Sequence, residues 1–252
     1  MEIDLNCDMG ESFGAYTLGL DEEAMPLVSS ANVACGFHAS DPATMRRTVR
    51  LAKRHGVAVG AHPSYPDLVG FGRRPMDATP EQVRDDVVYQ LGALWAFCRG
   101  EGVPLRHVKA HGARYNTAAR DASIADAIAE GVRSVDPQLI MVCLSRSAMV
   151  AAAQRAGLRH VEEAFADRAY TPEGSLVSRR VAGAVLSDPA AIAERVAVMA
   201  KERTVRAIDG STVPVDARTI CVHGDTPGAV QVLRAIRTRL ALDGVAVRVF
   251  GG

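Results

Sequence analysis

The sequence predicts an α/β chain folded as a distorted or incomplete parallel β/α barrel of seven or eight strands. Three observations lead there. Strand, helix, strand repeats along the chain and closes on a strand over 245–249. The predicted strands, such as 139–142 and 220–222, are apolar on both faces, as parallel strands covered on both sides are. Polar, chemically capable residues recur where predicted strands end, at six places. These are Asn6-Cys7-Asp8, Cys35-Gly36-Phe37-His38, Gly60-Ala61-His62, Lys109-Ala110-His111-Gly112, Ala166-Asp167-Arg168 and His223-Gly224-Asp225. In parallel α/β folds the carboxyl ends of the strands share one rim, so these six converge on one site.

The helices follow from their ends. Ser40-Asp41-Pro42, Thr79-Pro80, Ser187-Asp188-Pro189 and Thr226-Pro227 each offer a capping side chain followed by proline at the first helical position. Gln82 completes a capping box with Thr79. The first helix then places Met45, Val49 and Ala52 on one face and stops at Gly56. The second aligns Val83, Val87, Leu91, Leu94 and Cys98, and stops near Gly100 and Gly102. The last aligns Val230, Leu233, Ile236 and Leu240 and stops at Gly244. Three segments break the pattern: 63–76, 170–180, and a hairpin over 205–215 turning at Asp209-Gly210. Long loops of this kind often cover a site at strand tips.

With 252 residues and no linker, low-complexity tract or repeat, the chain reads as one domain, 1–252. Its 29 basic and 29 acidic residues cancel, so there is no basic footprint for nucleic acid and no polybasic membrane patch. No apolar run approaches the roughly 18 residues that span a bilayer. The N-terminus enters a strand directly, with no room for a signal peptide, and the expected location is cytoplasmic. Five cysteines without a CxxC pair indicate neither a disulfide framework nor a zinc knuckle. Cys98 and Cys143 read as small buried hydrophobes. Cys7, Cys35 and Cys221 lie near strand tips, where a nucleophile is an alternative to that reading.

Alternation puts Asp4, Asn6 and Asp8 on one strand face, with Glu11 just beyond. An inward face of that kind is no ordinary core, because unpaired buried carboxylates are costly. Asp8, at the rim, is the best candidate for a general base or metal ligand, against a capping cluster around Gly10. His38, His62, His111 and His223 fall at strand ends; His55, His107 and His160 do not. Such a set could shuttle protons, polarise a carbonyl or bind a divalent metal, although no strict metal signature is present. Lys109 shares a strand face with His111, and Arg114, Tyr115 and Asn116 follow. The lysine suits an oxyanion or anionic substrate group, or an internal ion pair with an inward aspartate. Asp167, Arg168 and Tyr170 form a similar cluster. An arginine there can grip a carboxylate with two hydrogen bonds. By residue type alone, Arg73, Arg74, Arg179 and Arg180 read as solvated loop charges. There is no GxxxxGK[ST] loop, no strand-linked GxGxxG and no GxSxG elbow, so nothing marks a nucleotide site by motif.

Taken in order, these residues resemble the LamB/YcsF family. The likeness runs from 3–14 through 30–39, Gly60-Ala61-His62-Pro63, Pro66-Asp67-Leu68 and Gly70-Phe71-Gly72-Arg73-Arg74. It continues over 89–94, 165–168 and 221–225, and so covers nearly the whole chain. One motif departs: Ala110 and Arg114 stand where the family usually has proline and leucine, while Lys109, His111, Tyr115 and Asn116 are kept. The resemblance implies a distorted barrel of the glycoside hydrolase/deacetylase group. It implies ATP-dependent opening of the lactam 5-oxo-L-proline to L-glutamate, a 5-oxoprolinase activity shared with two partner subunits, B and C. ATP is then the cosubstrate of the complex. On that expectation Asp8, His38, Lys109 and His111 are catalytic, and Asn6, His62, Arg73, Tyr115, Asn116, Asp167, Arg168, His223 and Asp225 bind substrate. The other readings are a metal-dependent amide or N-acyl carbohydrate hydrolase and a non-catalytic lactam-binding subunit.

Overall fold

A computed structural model of the chain describes residues 1–226 and 228–251. In chain order its strands are β1 (Glu2–Met9), β2 (Ser30–Ala34), β3 (Ala58–His62), β4 (Leu105–Val108), β5 (Ile140–Leu144), β6 (Arg159–Phe165), β7 (Thr204–Arg206), β8 (Thr212–Pro214), β9 (Thr219–Val222) and β10 (Ala246–Val247). Strands β1 to β6 pair in parallel in sequence order, and β9 pairs with both β6 and β1, closing a barrel of seven. The strand expected over 245–249 shrinks to β10, which adds to β1 through Glu2 and Ile3. The expected hairpin is present as antiparallel β7 and β8, with Gly210 at φ +89° in its turn.

Helices fill the crossovers: α1 (Asp21–Ala24), α2 (Pro42–His55), α3 (Pro80–Glu101), α4 (Gly112–Ala118), α5 (Ala122–Val135), α6 (Ala148–Arg155), α7 (Pro189–Glu202) and α8 (Ala229–Leu242). Three of the four predicted starts form as expected: Asp41, Thr79 with its Gln82 capping box, and Asp188 cap α2, α3 and α7. The fourth does not. Helix α8 begins after Gly228, which has no side chain to cap with, and Pro227 lies outside the described residues. The stripes Met45–Val49–Ala52 and Val83–Val87–Leu91–Leu94–Cys98 are buried against the barrel wall, beside Leu5, Cys7 and Met9 of β1. Among the described residues no helix is long and apolar enough to cross a membrane.

Inside the barrel the other face of β1 is polar. The Ser29 and Ser30 hydroxyls donate to Asp4 Oδ1 at 2.7 Å, and Thr219 donates to Asp4 Oδ2. Asn6 Nδ2 donates to Glu163 Oε1 at 2.8 Å and to Thr219 Oγ1 at 2.7 Å. Asn32 Nδ2 donates to Asn6 Oδ1 at 2.7 Å and to Asp8 Oδ1 at 2.9 Å, and His107 Nε2 donates to Asn32 Oδ1 at 2.9 Å. Below this layer Ile140, Val142 and Val161 pack with Phe250 as a separate apolar cluster. A side chain at Gly60 has no room, since a Cβ there would overlap the His107 ring.

Gly60→Ala should therefore lower stability in urea titration by about 1–3 kcal/mol, the usual cost of overpacking. Gly92→Ala, in α3 with open space around the new methyl, should be neutral or raise it by about 0.5–1 kcal/mol. Burial raises the Asp4 carboxyl from 3.8 to about 6, against the hydroxyl bonds that lower it. The folded state thus holds a proton that the unfolded chain releases. Asp4 contributes stability that is full below about pH 4 and lost as pH rises through about 6. Asp4→Asn, neutral throughout, should flatten that fall. An unchanged pH slope between pH 4 and 7 would assign the titration elsewhere.

Candidate active site at the carboxyl rim

Lys109 leaves the end of β4 and is buried, with its ammonium among four partners. Nζ lies 3.2 Å from Asp8 Oδ1, 2.9 Å from Glu163 Oε1, 3.1 Å from Asn6 Oδ1 and 2.9 Å from Cys221 Sγ. Burial would discharge the lysine, but Asp8, Cys221 and Glu163 more than offset it and hold the ammonium charged. Burial would likewise raise the Asp8 carboxyl, yet His62 and Lys109 hold it well below the usual carboxylate range. Tyr115 donates its hydroxyl to Glu163 Oε2 at 2.8 Å, and burial pushes that phenol well up. Lys109 thus forms the internal ion pair expected of it as one of two readings, and it also lines a cavity.

The histidines form a second layer. His62 Nε2 is 3.2 Å from Asp8 Oδ2 and 2.9 Å from His111 Nδ1. His62 Nδ1 meets the Lys109 carbonyl at 2.7 Å, and His111 Nε2 meets the Phe71 carbonyl at 2.9 Å. His38 stacks on His111 with ring centroids 3.8 Å apart, and its Nε2 lies 3.1 Å from Glu11 Oε1. Burial keeps His38 and His111 well below the ordinary histidine value, and burial together with Asp8 raises the Glu11 carboxyl well above its own. Gly72, at φ +62°, lets the 63–76 segment press on this layer. A Cβ there would lie 2.8 Å from the His111 ring.

Above Lys109 opens a cavity of about 480 Å³. Asp8, Lys109, His62, His111 and His223 line its inner part, and Tyr115, Asn116 and Phe165 its side. Its outer wall carries Arg73, Arg120, Arg168, Arg179 and Arg180. Arg73 also donates to Asp225 at 2.6 Å. Arg168 departs from its expected role as a carboxylate grip. It lines the cavity but donates to the Val177 carbonyl at 2.5 Å and the Ala184 carbonyl at 3.4 Å, so it fastens the following loop. Burial and the neighbouring Arg179 lower it to about 10.

Of the expected site residues, four stand behind the cavity rather than on it. Asn6 and His38 are fully buried supports, Asp167 holds His223 Nδ1 at 2.8 Å, and Asp225 engages Arg73. Arg179 is no solvated loop charge: it is half-buried on the wall, lowered by burial and by Arg73. Arg74 pairs instead with Asp67 outside the cavity. The 63–76 and 170–180 segments both contribute to the wall, whereas the β7–β8 hairpin does not and packs on Tyr170 through the Ile208 amide. None of Cys7, Cys35 and Cys221 lines the cavity, and burial pushes the Cys7 and Cys221 thiols well up and Cys35 to about 12, away from the thiolate that a nucleophile needs.

Sequence reasoning missed Glu163, the second counter-charge of Lys109. The signal was weak, because Glu162 and Glu163 are adjacent and β6 alternation alone does not say which points inward. Arg114, at a position where the family resemblance leads one to expect leucine, is fully buried, pairs with Asp86 and lies over the Tyr65 ring with 4.6 Å to its centroid. Arg114 is not itself a lining residue, although its neighbours Ala113 and Tyr115 are, and Ala110, the other departure, lines the cavity. Among the described residues two groups of ligand-type atoms each lie within 4.8 Å of one another: Glu11 with His38, His62 and His111, and Asp8 with Cys221 and His223.

The chain is 57% identical over 98% of its length, and 94% of the relative's, to the A subunit of 5-oxoprolinase from Symbiobacterium thermophilum. It is 53% identical over its whole length, and 98% of the relative's, to the protein of the same name from Pyrococcus furiosus. The solved structure of a lactam utilization protein from Thermus thermophilus superposes with a TM-score of 0.94 at 52% identity, covering 99% of this chain and 100% of that one. The family model described as LamB/YcsF matches residues 3–251, and the chain belongs to the LamB/YcsF family.

Proposed function

We propose that the chain is the A subunit of an ATP-dependent 5-oxoprolinase, holding 5-oxo-L-proline while its lactam is opened to L-glutamate, with B and C subunits as partners. One observation carries this reading: relatives of that name share more than half of its residues over nearly its entire length. The cavity suits the chemistry. A five-membered lactam with one carboxylate is small and anionic, and the wall facing Lys109 is rich in arginine. ATP as cosubstrate and the absence of a nucleotide motif fit a division of labour in the cytoplasm, where partners activate the lactam.

The electrostatics favour an activated substrate. Asp8, held ionised by His62 and Lys109, is a weak base and suits only an easy proton transfer. Phosphorylation of the lactam oxygen makes the ring carbon electrophilic enough. Water then adds there with Asp8 taking its proton, and the ring carbon–nitrogen bond breaks as the nitrogen is protonated. A second water hydrolyses the resulting acyl phosphate. Lys109 is the cation that would meet the oxygen on which negative charge develops, whereas both ring nitrogens of His111 are engaged, by His62 and by the Phe71 carbonyl. Arg73, Arg179 and Arg180 are placed to hold the substrate carboxylate, since Arg168 is engaged with backbone carbonyls.

The test is glutamate release from 5-oxoproline and ATP by the B and C subunits with and without this chain. Release that needs the chain supports the reading; equal release without it sinks it. Asp8→Asn should lower turnover by at least a hundredfold with the melting curve retained, and full activity would remove Asp8 from the mechanism. Lys109→Met should cost stability as well, by about 3–5 kcal/mol, because it leaves Glu163 and Asp8 buried without their cation. A normal melting point for that variant would show the pair to be dispensable to the fold.

A further inference from the structure

The contact between His62 and His111 is anomalous as a hydrogen bond. A backbone carbonyl only accepts, so the Lys109 carbonyl fixes a proton on His62 Nδ1, and the Phe71 carbonyl fixes one on His111 Nε2. In neutral rings the remaining nitrogens, His62 Nε2 and His111 Nδ1, then both carry lone pairs. They face each other at 2.9 Å. Two carboxylates flank them: Asp8 Oδ2 is 3.2 Å from the first and Glu11 Oε1 is 3.7 Å from the second. Four electron-rich atoms are thus drawn together in a buried place, and neither of the two facing nitrogens carries a proton in the neutral rings. A cation satisfies all of them at once.

We propose that His62 Nε2, His111 Nδ1 and Glu11 bind one divalent transition-metal ion, with the Asp8 carboxylate beside it as further counter-charge. The spacing suits this. Nitrogen ligands sit about 2.0–2.1 Å from zinc, so two on adjacent positions lie roughly 3 Å apart, close to the separation seen. Imidazole and carboxylate together select zinc, manganese, iron or cobalt over calcium and magnesium, which take oxygen sets. Cys221 is outside this set, its sulfur engaged by Lys109. His38 acts as a positioning residue through Glu11, in the manner of an outer-shell partner. This deepens the proposed function and rests on it only for the use made of the ion; binding is read without turnover.

The full chain, stripped with EDTA, is titrated with zinc chloride by calorimetry and its zinc counted by mass spectrometry. One zinc per chain is expected, with affinity at least tenfold weaker in His62→Ala and His111→Ala and unchanged in His55→Ala and His160→Ala. Cobalt in place of zinc should give visible d–d bands without a near-ultraviolet thiolate band. Should either alanine variant lose its fold by circular dichroism, Glu11→Gln and His111→Gln carry the same expectation. Three results overturn the site: no stoichiometric zinc at micromolar concentration, wild-type affinity in both histidine variants, or a thiolate band, which would move the ion to Asp8, Cys221 and His223. Glutamate release is measured on the same preparations with the B and C subunits. Release from metal-free chain removes the ion from the reaction and leaves the function; zinc bound without release keeps the site and sinks the function.

Discussion

A buried ammonium holds this barrel together. Lys109 sits between Asp8 of β1 and Glu163 of β6, two carboxylates on distant strands that would repel if left alone. Desolvating three charges is costly and is tolerated only where geometry and hydrogen bonds compensate. The compensation comes from Asn6, Asn32 and Tyr115, which donate hydrogen bonds to the two carboxylates. The same bonds fix strand register. Slipping β1 by one residue would turn Leu5 and Cys7 inward and send Asp4, Asn6 and Asp8 into the apolar layer beneath the helices.

That constraint shapes the chemistry above it. Because Lys109 and His62 keep Asp8 ionised, the site starts with a charged pair rather than a free base. Glu11 and His111 are pushed the opposite way by burial, toward their neutral forms. Titratable groups a few ångströms apart are thereby set to different protonation states, which is how one pocket can both accept and donate protons near neutrality. The arginines of the outer wall add positive charge to so polar a cavity.

Much of this was legible in the residues, and for physical reasons. The parallel barrel followed from two-sided apolar strands and proline-marked helix starts, and the rim followed from where polar residues interrupt that pattern. The inward face of β1 was readable because alternation put three polar residues in one row. Glu163 was not, since two adjacent glutamates leave the inward one undetermined. The role of Arg168 also escaped, because its donors go to loop carbonyls whose position depends on tertiary folding. Arg179 looked solvated for the same reason: a loop's path over the rim leaves no periodic trace. Thr226 resembled the other helix caps, yet α8 starts beyond it at Gly228, a shift of the kind that boundary signals do not resolve.

The apolar cluster of Ile140, Val142, Val161 and Phe250 has a consequence for traffic. It does not close the end of the barrel away from the candidate site: Ile140, Val161 and Phe250 line a second cavity of about 1210 Å³ together with Asp4, Arg218 and Arg237. The hydrogen-bonded layer of Asp4, Asn6, Asn32 and Thr219 lies between the two hollows. The interior is therefore a partition with a chamber on either side, and a small molecule at the rim meets only one face of it.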